Sequence, residues 1–467
     1  MKKYLALVLL VCLMLSGCKS QEPLVYNINK SDELKEYESE LAAESQFAEE
    51  QEQKQNEEQI ETTASEPAGW TKKTIQKEPV KVKGIYLTAV TAGSSRMDDI
   101  IRQIDQTEIN AVVIDIKDDK GNITYRMNSP MVSEIGSATD TIPDLPGLIA
   151  KLHQHNIYII ARCVCFRDPF LADAKPEWAM RLPDGSVYRD ASGMAWINPY
   201  KREVWDYLKE VGEQCADAGF DEIQYDYVRF CTEKGTDQVV YDQQDTNGLD
   251  KPHIITEYVR YISDALADKN VYVAADVFGT IIGSYVDTVS VGQDYPEIAG
   301  AMDYICPMIY PSHYGDGNFG IEHPDTEPYK TIIGALNNSK KDLSLEYAEG
   351  VHQASVRPWL QGFTASYLAH YISYGPEQVR QQIQAVYDAG YDEWLIWNAA
   401  NNYDWSAFKT DAEAEEEARQ IQAARAAAAE SAAAKEAADK AAAQQALLNA
   451  QQSAAAQAAG AAQSAAQ

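Results

Sequence analysis

The sequence predicts a (β/α)₈ barrel, and three observations predict it. Eight short β-rich runs recur between residues 84 and 399. Amphipathic helical patterns separate them, and polar residues sit on the late positions of many of the runs. A doubly wound open sheet is the competing α/β architecture. Eight strands with polar ends favour closure.

The runs are "GIYLTAV" (84–90), "NAVVIDIKD" (110–118), "NIYIIARCVCF" (156–166), "FDEIQYDYVRF" (220–230), "NVYVAADVFG" (270–279), "DYICPMIYP" (303–311), "RPWLQGF" (357–363) and "YDEWLIWNA" (391–399). "PDLPGLIAKLHQH" before the third has proline in its first turn and apolar residues at helical spacing. "PYKREVWDYLKEVGEQCADAG" before the fourth opens at Pro199 and closes at Gly219, the usual asymmetry of helix ends. "HIITEYVRYISDALADKN" and "PEQVRQQIQAVYDAG" precede the fifth and eighth, whereas the connection between the fifth and sixth is the least helical.

Barrels of this kind carry their active sites at the C-terminal ends of the strands. Side chains alternate along a strand, so Glu222, Gln224 and Asp226 share one face and Ile223, Tyr225 and Tyr227 the other. The polar face is expected inward, which puts Asp226 at the mouth. Late positions elsewhere add Asp115 and Lys117, followed by Asp118 and Asp119; then Arg162, with Arg167 and Asp168 in the loop; and then Asp276. Met308, Tyr310 and His313 follow from the sixth run, Gln361 from the seventh, and Trp397, Asn398 and Asp404 from the eighth.

Carboxylates on different strands beside aromatic platforms suit carbohydrate chemistry. A glycosidic bond needs one acid to protonate the leaving oxygen and a second carboxylate as nucleophile or base. Each candidate also has a purely structural alternative. Asp226 could be the ion-pair partner of Arg229 or Lys117, and Asp276 could cap the following segment. Asp115 and Lys117 could form a buried pair that orients the site, and Arg229 is expected to anchor a carboxylate rather than react.

Other motifs fail on context. His153 and His155 form an HxH at the end of a helix, on the wrong rim for a metal site. "GDGNFG" (315–320) matches GxGxxG but opens no dinucleotide-type helix, and GxSxG is absent. No metal and no cofactor are expected.

The flanks are of a different composition. "MKKYLALVLLVCLMLSGC" has two lysines, an apolar run too short to span a bilayer, and small residues before Cys18. It has the layout of a signal peptide (1–17) with a lipobox, which makes Cys18 the expected lipid-attachment residue. The expected placement is therefore extracytoplasmic, on the bacterial membrane by a lipid anchor only. Residues 18–77 are rich in Glu, Gln and Lys and read as a disordered tether. Residues 78–408 hold the barrel, and 409–467 form an Ala/Gln/Glu-rich tail, helical or disordered, without an apolar stripe.

The net charge of −31 argues against nucleic acid as a partner. With Cys12 and Cys18 set aside, Cys163, Cys165, Cys215, Cys231 and Cys306 remain. They are odd in number and sit in apolar surroundings, so they read as buried thiols rather than a disulfide framework. Oligomeric state has no signature.

"DEIQYDYVRF", "VYVAADVFG" and "CPMIYPSHY" together resemble a bacterial glycosyl hydrolase domain family, domain of unknown function 4015, over about residues 80–408. That family is related to barrels of the α-amylase and α-galactosidase type. The resemblance implies Asp226 as nucleophile, Asp276 as proton donor, and Asp115, Tyr227, Arg229 and Tyr310 as site-lining residues. Members often continue "RF" with proline where this chain has Cys231. The expected function is hydrolysis of a polysaccharide or oligosaccharide at the cell surface; the alternative is a non-catalytic carbohydrate-binding barrel of the envelope.

Overall fold

A computed structural model describes residues 70–346 and 351–465. The segment expected to be a signal peptide, Cys18 and most of the segment expected to be a tether lie outside the described residues. Every predicted run contains a strand: β1 (Lys83–Leu87), β2 (Ala111–Lys117), β3 (Tyr158–Val164), β4 (Glu222–Asp226), β5 (Tyr272–Phe278) and β6 (Tyr304–Met308). β7 comes in two pieces, Ser355–Val356 and Trp359–Gln361, and β8 is Trp394–Trp397. The break falls at Pro358, which has no N–H to give a ladder. All pairings are parallel, neighbour to neighbour, and both β1–β8 and β5–β6 are hydrogen-bonded. The barrel is closed.

Strand alternation sorts the core into two layers. Inward residues, among them Val113, Tyr158, Ile160, Tyr272, Ala274, Cys306, Trp359 and Leu395, fill the barrel. Outward residues such as Ile114, Ile159, Ile223, Tyr225, Val273 and Ile305 pack under the helices. Those helices include α1 (Arg96–Ile104), α2 (Leu145–Gln154), α3 (Arg202–Ala218), α4 (Lys251–Ala267), α5 (Tyr295–Ala301), α6 (Pro328–Glu346) and α7 (Pro376–Asp388). The β5–β6 connection, read as the least helical, holds the seven-residue α5 after another seven-residue helix, Tyr285–Val291.

Gly212, in the middle of α3, shows how tightly the outer layer is packed. A Cβ there would lie 2.1 Å from the Tyr225 hydroxyl and 3.1 Å from Leu266. In an exposed helix, Gly→Ala gains about 1 kcal/mol. Here the clash reverses the sign: Gly212→Ala is expected to destabilise the protein by about 1–3 kcal/mol, read as a lower urea midpoint.

The floor of the barrel is ionic. The Arg357 guanidinium donates to Glu222 at 2.7 and 2.9 Å and to Glu393 at 3.0 Å, and it lies 3.7 Å from the Tyr304 ring centroid. Tyr158 adds a hydroxyl bond to Glu222 at 3.1 Å.

Both flanks touch the barrel. Residues 70–77, assigned to the tether on composition, are held by Trp70 Nε1 donating to Asp264 at 2.8 Å, Lys72 at 3.0 Å from Asp303 and Lys77 at 2.8 Å from Asp221. The tail forms helix α8 (Asp411–Ala465). Its first turns dock through polar contacts, which an apolar-stripe criterion does not see: Glu417 with Arg380 and Lys409, and Arg425 with Asp392 and the Tyr387 carbonyl. Among the described residues, no helix is long and apolar enough to cross a membrane.

Candidate active site

Arg162 is the hub of the C-terminal rim. It points inward from β3 and is fully buried, so its charge requires partners. Its Nε and Nη2 donate to Asp226 Oδ2 at 2.9 and 2.6 Å, Nη1 to Asp115 Oδ1 at 2.7 Å, and Nη2 to Asp119 at 3.1 Å. Asp115 also accepts the Tyr86 hydroxyl at 2.5 Å. Trp397 stacks on Tyr86 with centroids 4.0 Å apart and lies 5.3 Å from the Arg162 guanidinium. Burial, helped by the charge of Asp119 and opposed by Arg162 and Tyr86, pushes Asp115 up to about 6. Burial also acts to raise Asp119, but Arg162 and Arg167 outweigh it and hold that carboxyl below its ordinary value.

Asp226 ends β4. Its Oδ1 accepts the backbone N–H of Tyr227 at 2.6 Å. Tyr227 has φ of 53°, left-handed backbone that a tyrosine rarely adopts. Strain of this kind clusters at functional sites and costs on the order of 1–3 kcal/mol. Both Asp226 oxygens are therefore fixed, one by a cation and one by the chain.

Asp276 lies on the neighbouring strand, one step beyond the paired residues Tyr225 and Ala275, so it faces inward at the level of Asp226. Adjacent strands are about 4.8 Å apart, and the charge of Asp226 acts on Asp276 across that gap. Asp276 is 1 % exposed and accepts the indole N–H of Trp359 on Oδ1 at 2.7 Å. Its Oδ2 has no hydrogen-bond partner among the described residues. Burial first, and the charge of Asp226 second, push Asp276 well above the ordinary carboxylate range. One carboxylate is clamped by an arginine; the other is biased by burial and by its neighbour's charge toward its neutral form. Two carboxyl groups in such different environments can divide acid and base roles.

Of the other sequence candidates, Tyr310 is buried within the influence of both Asp276 and Asp226, with His313 5.0 Å away, ring to ring. Burial lowers His313 to about 4, so its imidazole is neutral at physiological pH. The Tyr227 hydroxyl accepts from Arg167 at 3.1 Å. Arg229 donates to the Phe230 carbonyl and lies over Phe278, Trp196 and Tyr227.

Three candidates are placed differently from the sequence reading. The ladder between β2 and β3 shifts register between Asp115 and Lys117, so Lys117 pairs opposite outward-facing Cys163. Lys117 consequently bonds Asp168 at 2.8 Å and the Val164 carbonyl at 2.7 Å, and does not join Asp115 in the mouth. Gln361 has its amide bound by Asp325, the Phe363 carbonyl and the Ser312 N–H, which ties loops together. Asn398 likewise bridges Gly362, Asn402 and Ala400.

Two site residues were missed, Tyr86 and Trp359. Both are inward aromatic residues in their strands, and their hydroxyl and indole N–H can be matched to a carboxylate only once strand pairing is known. His153 and His155 lie away from the mouth, as expected, bonded to Asp221 and Asp105. All five remaining cysteines are free and buried.

The model of the family described as "Putative glycosyl hydrolase domain" matches residues 84–403, the whole barrel. The chain belongs to this family. It is a glycosyl hydrolase domain at the family level, and its barrel is glycoside-hydrolase-like. A hypothetical protein from Ruminiclostridium thermocellum is 38% identical over 41% of this chain and 97% of its own, with a TM-score of 0.39. The PgaB (BpsB) glycoside hydrolase domain from Bordetella bronchiseptica shares the fold at 12% identity, covering 70% of this chain and 98% of that one, with a TM-score of 0.51. An α-galactosidase from Thermus thermophilus, TtGalA, is similar at 10% identity over 74% and 63% of the two chains, with a TM-score of 0.42. A comparison with curated proteins found no match.

Proposed function

We propose that this glycosyl hydrolase domain cleaves a glycosidic bond of a polysaccharide or oligosaccharide, with Asp226 as the nucleophile and Asp276 as the acid. The observation that carries the reading is the pair itself: an arginine-held carboxylate beside a buried carboxyl on the next strand whose burial favours the neutral form. The Asp276 proton passes to the glycosidic oxygen as the C–O bond breaks, and the bonding electrons stay with the departing sugar hydroxyl. Asp226 attacks the anomeric carbon as positive charge develops there; water, giving its proton to the Asp276 carboxylate, then displaces Asp226 from that carbon, which releases the sugar and restores both groups. Trp397, partly exposed and backed by buried Tyr86, supplies an aromatic face against which a sugar ring can pack.

The segment "LSGC" supports attachment of the mature protein through Cys18, which would hold this activity at the outer face of the membrane.

Asp276→Asn tests the acid. Its loss is expected to slow hydrolysis of natural glycosides by about 10²–10⁴-fold. Aryl glycosides with good leaving groups should be affected far less, because their departure needs no proton. An equal loss on both substrate types would remove Asp276 from the acid role.

A further inference from the structure

We propose that Trp359 is the positioning residue that fixes the Asp276 proton on Oδ2, the buried oxygen that has no hydrogen-bond partner among the described residues. The inference rests on the acid role of Asp276 for its consequence in catalysis, but the placement of the proton follows from hydrogen-bond chemistry alone. An indole N–H can only donate. The Trp359 bond to Oδ1 is 2.7 Å long and both partners are 1 % exposed, so water does not compete for it. Oδ1 must therefore act as an acceptor. A neutral carboxyl whose Oδ1 is bound as the carbonyl oxygen carries its hydrogen on Oδ2, which has no partner among the described residues.

The indole is itself fixed. It packs edge-on against Trp397 with centroids 5.6 Å apart, and its backbone pairs with both β6 and β8. Trp359 is the first residue after the Pro358 break, so the interruption of β7 sets the height at which the indole meets Asp276.

The charged and titratable groups around Asp276 are Asp226 and Glu222 on β4, Arg162 on β3, Cys306 on β6, and Tyr310 just beyond it. Asp226 and Glu222 favour the proton, whereas Arg162 and the Trp359 bond favour its loss. Removing the indole N–H should therefore make Asp276 hold its proton to higher pH, while freeing the carboxyl to rotate.

The test uses the full chain carrying Trp359→Phe, with a second protein in which Trp359 is replaced by 3-benzothienylalanine, an isostere without the N–H. Infrared difference spectroscopy against Asp276→Asn isolates the C=O stretch of the protonated Asp276. We expect this band in the wild type and expect it to move to higher frequency in both Trp359 replacements, because the carbonyl oxygen loses its donor. On a hydrolysed glycan, kcat should fall about 10–100-fold, KM should change less than about threefold, and the basic limb of the pH profile should move to higher pH. An unmoved band in the isosteric replacement overturns the proposal whether or not the protein is a hydrolase. A shifted band in a protein that cleaves no glycan would confirm the proton's position and count against the glycosidase reading instead.

Discussion

Arg357→Met is expected to destabilise the barrel by about 3–5 kcal/mol, more than either Gly212→Ala or Asp226→Asn. Arg357 and Glu222 are both fully buried, and the guanidinium is the cation that serves Glu222 and Glu393 together. Replacing it leaves two carboxylates in a medium that solvates charge poorly. Burial and the nearby Glu393 already hold Glu222 above its ordinary value even with the arginine opposing them. Without the arginine Glu222 should rise further. An acid whose folded pKa lies above its unfolded value binds a proton on folding, so its stability contribution is present below the unfolded pKa and is lost as pH rises through the folded one. The deficit should consequently be small near pH 4 and grow as pH rises above it in paired urea titrations. Adding Glu222→Gln and Glu393→Gln to Arg357→Met should recover most of it. A deficit independent of pH would show that the loss is one of packing against Tyr304 rather than charge.

Asp226→Asn is expected to reduce hydrolysis by about 10³-fold or more, equivalent to losing roughly 4 kcal/mol of transition-state stabilisation. An amide cannot form the glycosyl bond that the carboxylate forms. Folding should survive, because Arg162 keeps Asp115 and Asp119 as partners. The stability cost should be about 1.5–3 kcal/mol, the worth of a charge-assisted hydrogen bond. Asp226→Ala opens space for an external nucleophile. With sodium azide it should form a glycosyl azide from an activated aryl glycoside, detectable by NMR. Unchanged turnover in Asp226→Asn would transfer the nucleophile to another carboxylate.

The strand framework was legible because the barrel repeats one unit, and β4 illustrates why. Its period-two alternation separates Glu222, Gln224 and Asp226 from Ile223 and Tyr225, and the structure places those sets inside and outside the barrel. A single-residue irregularity defeats the same logic. Lys117 has the correct spacing from Asp115, but the register shift between them turns it toward Asp168. Partner identity was less legible still. Asp226 was read as a possible mate for Arg229 or Lys117, whereas Arg162, one strand away, holds it. Hydrogen bonds between strands depend on register, and register is a property of the closed sheet. Trp359 follows the same rule: within "RPWLQGF" the indole is one more apolar residue, and only the place of β7, separated from β5 by β6 alone, makes it the donor to Asp276. Gln361 and Asn398, polar and late in their strands, belong to loop architecture instead, a role that requires knowing where the loops return.

The most direct measurement is the release of new reducing ends from a panel of envelope and extracellular polysaccharides, with the wild-type chain, Asp226→Asn and Asp276→Asn assayed side by side at equal concentration. The wild type should cleave at least one glycan, with both variants folded and at least about a hundredfold slower. Equal release by all three, or glycan binding by the wild type with no reducing ends formed across the panel, would contradict a paired-carboxylate hydrolase.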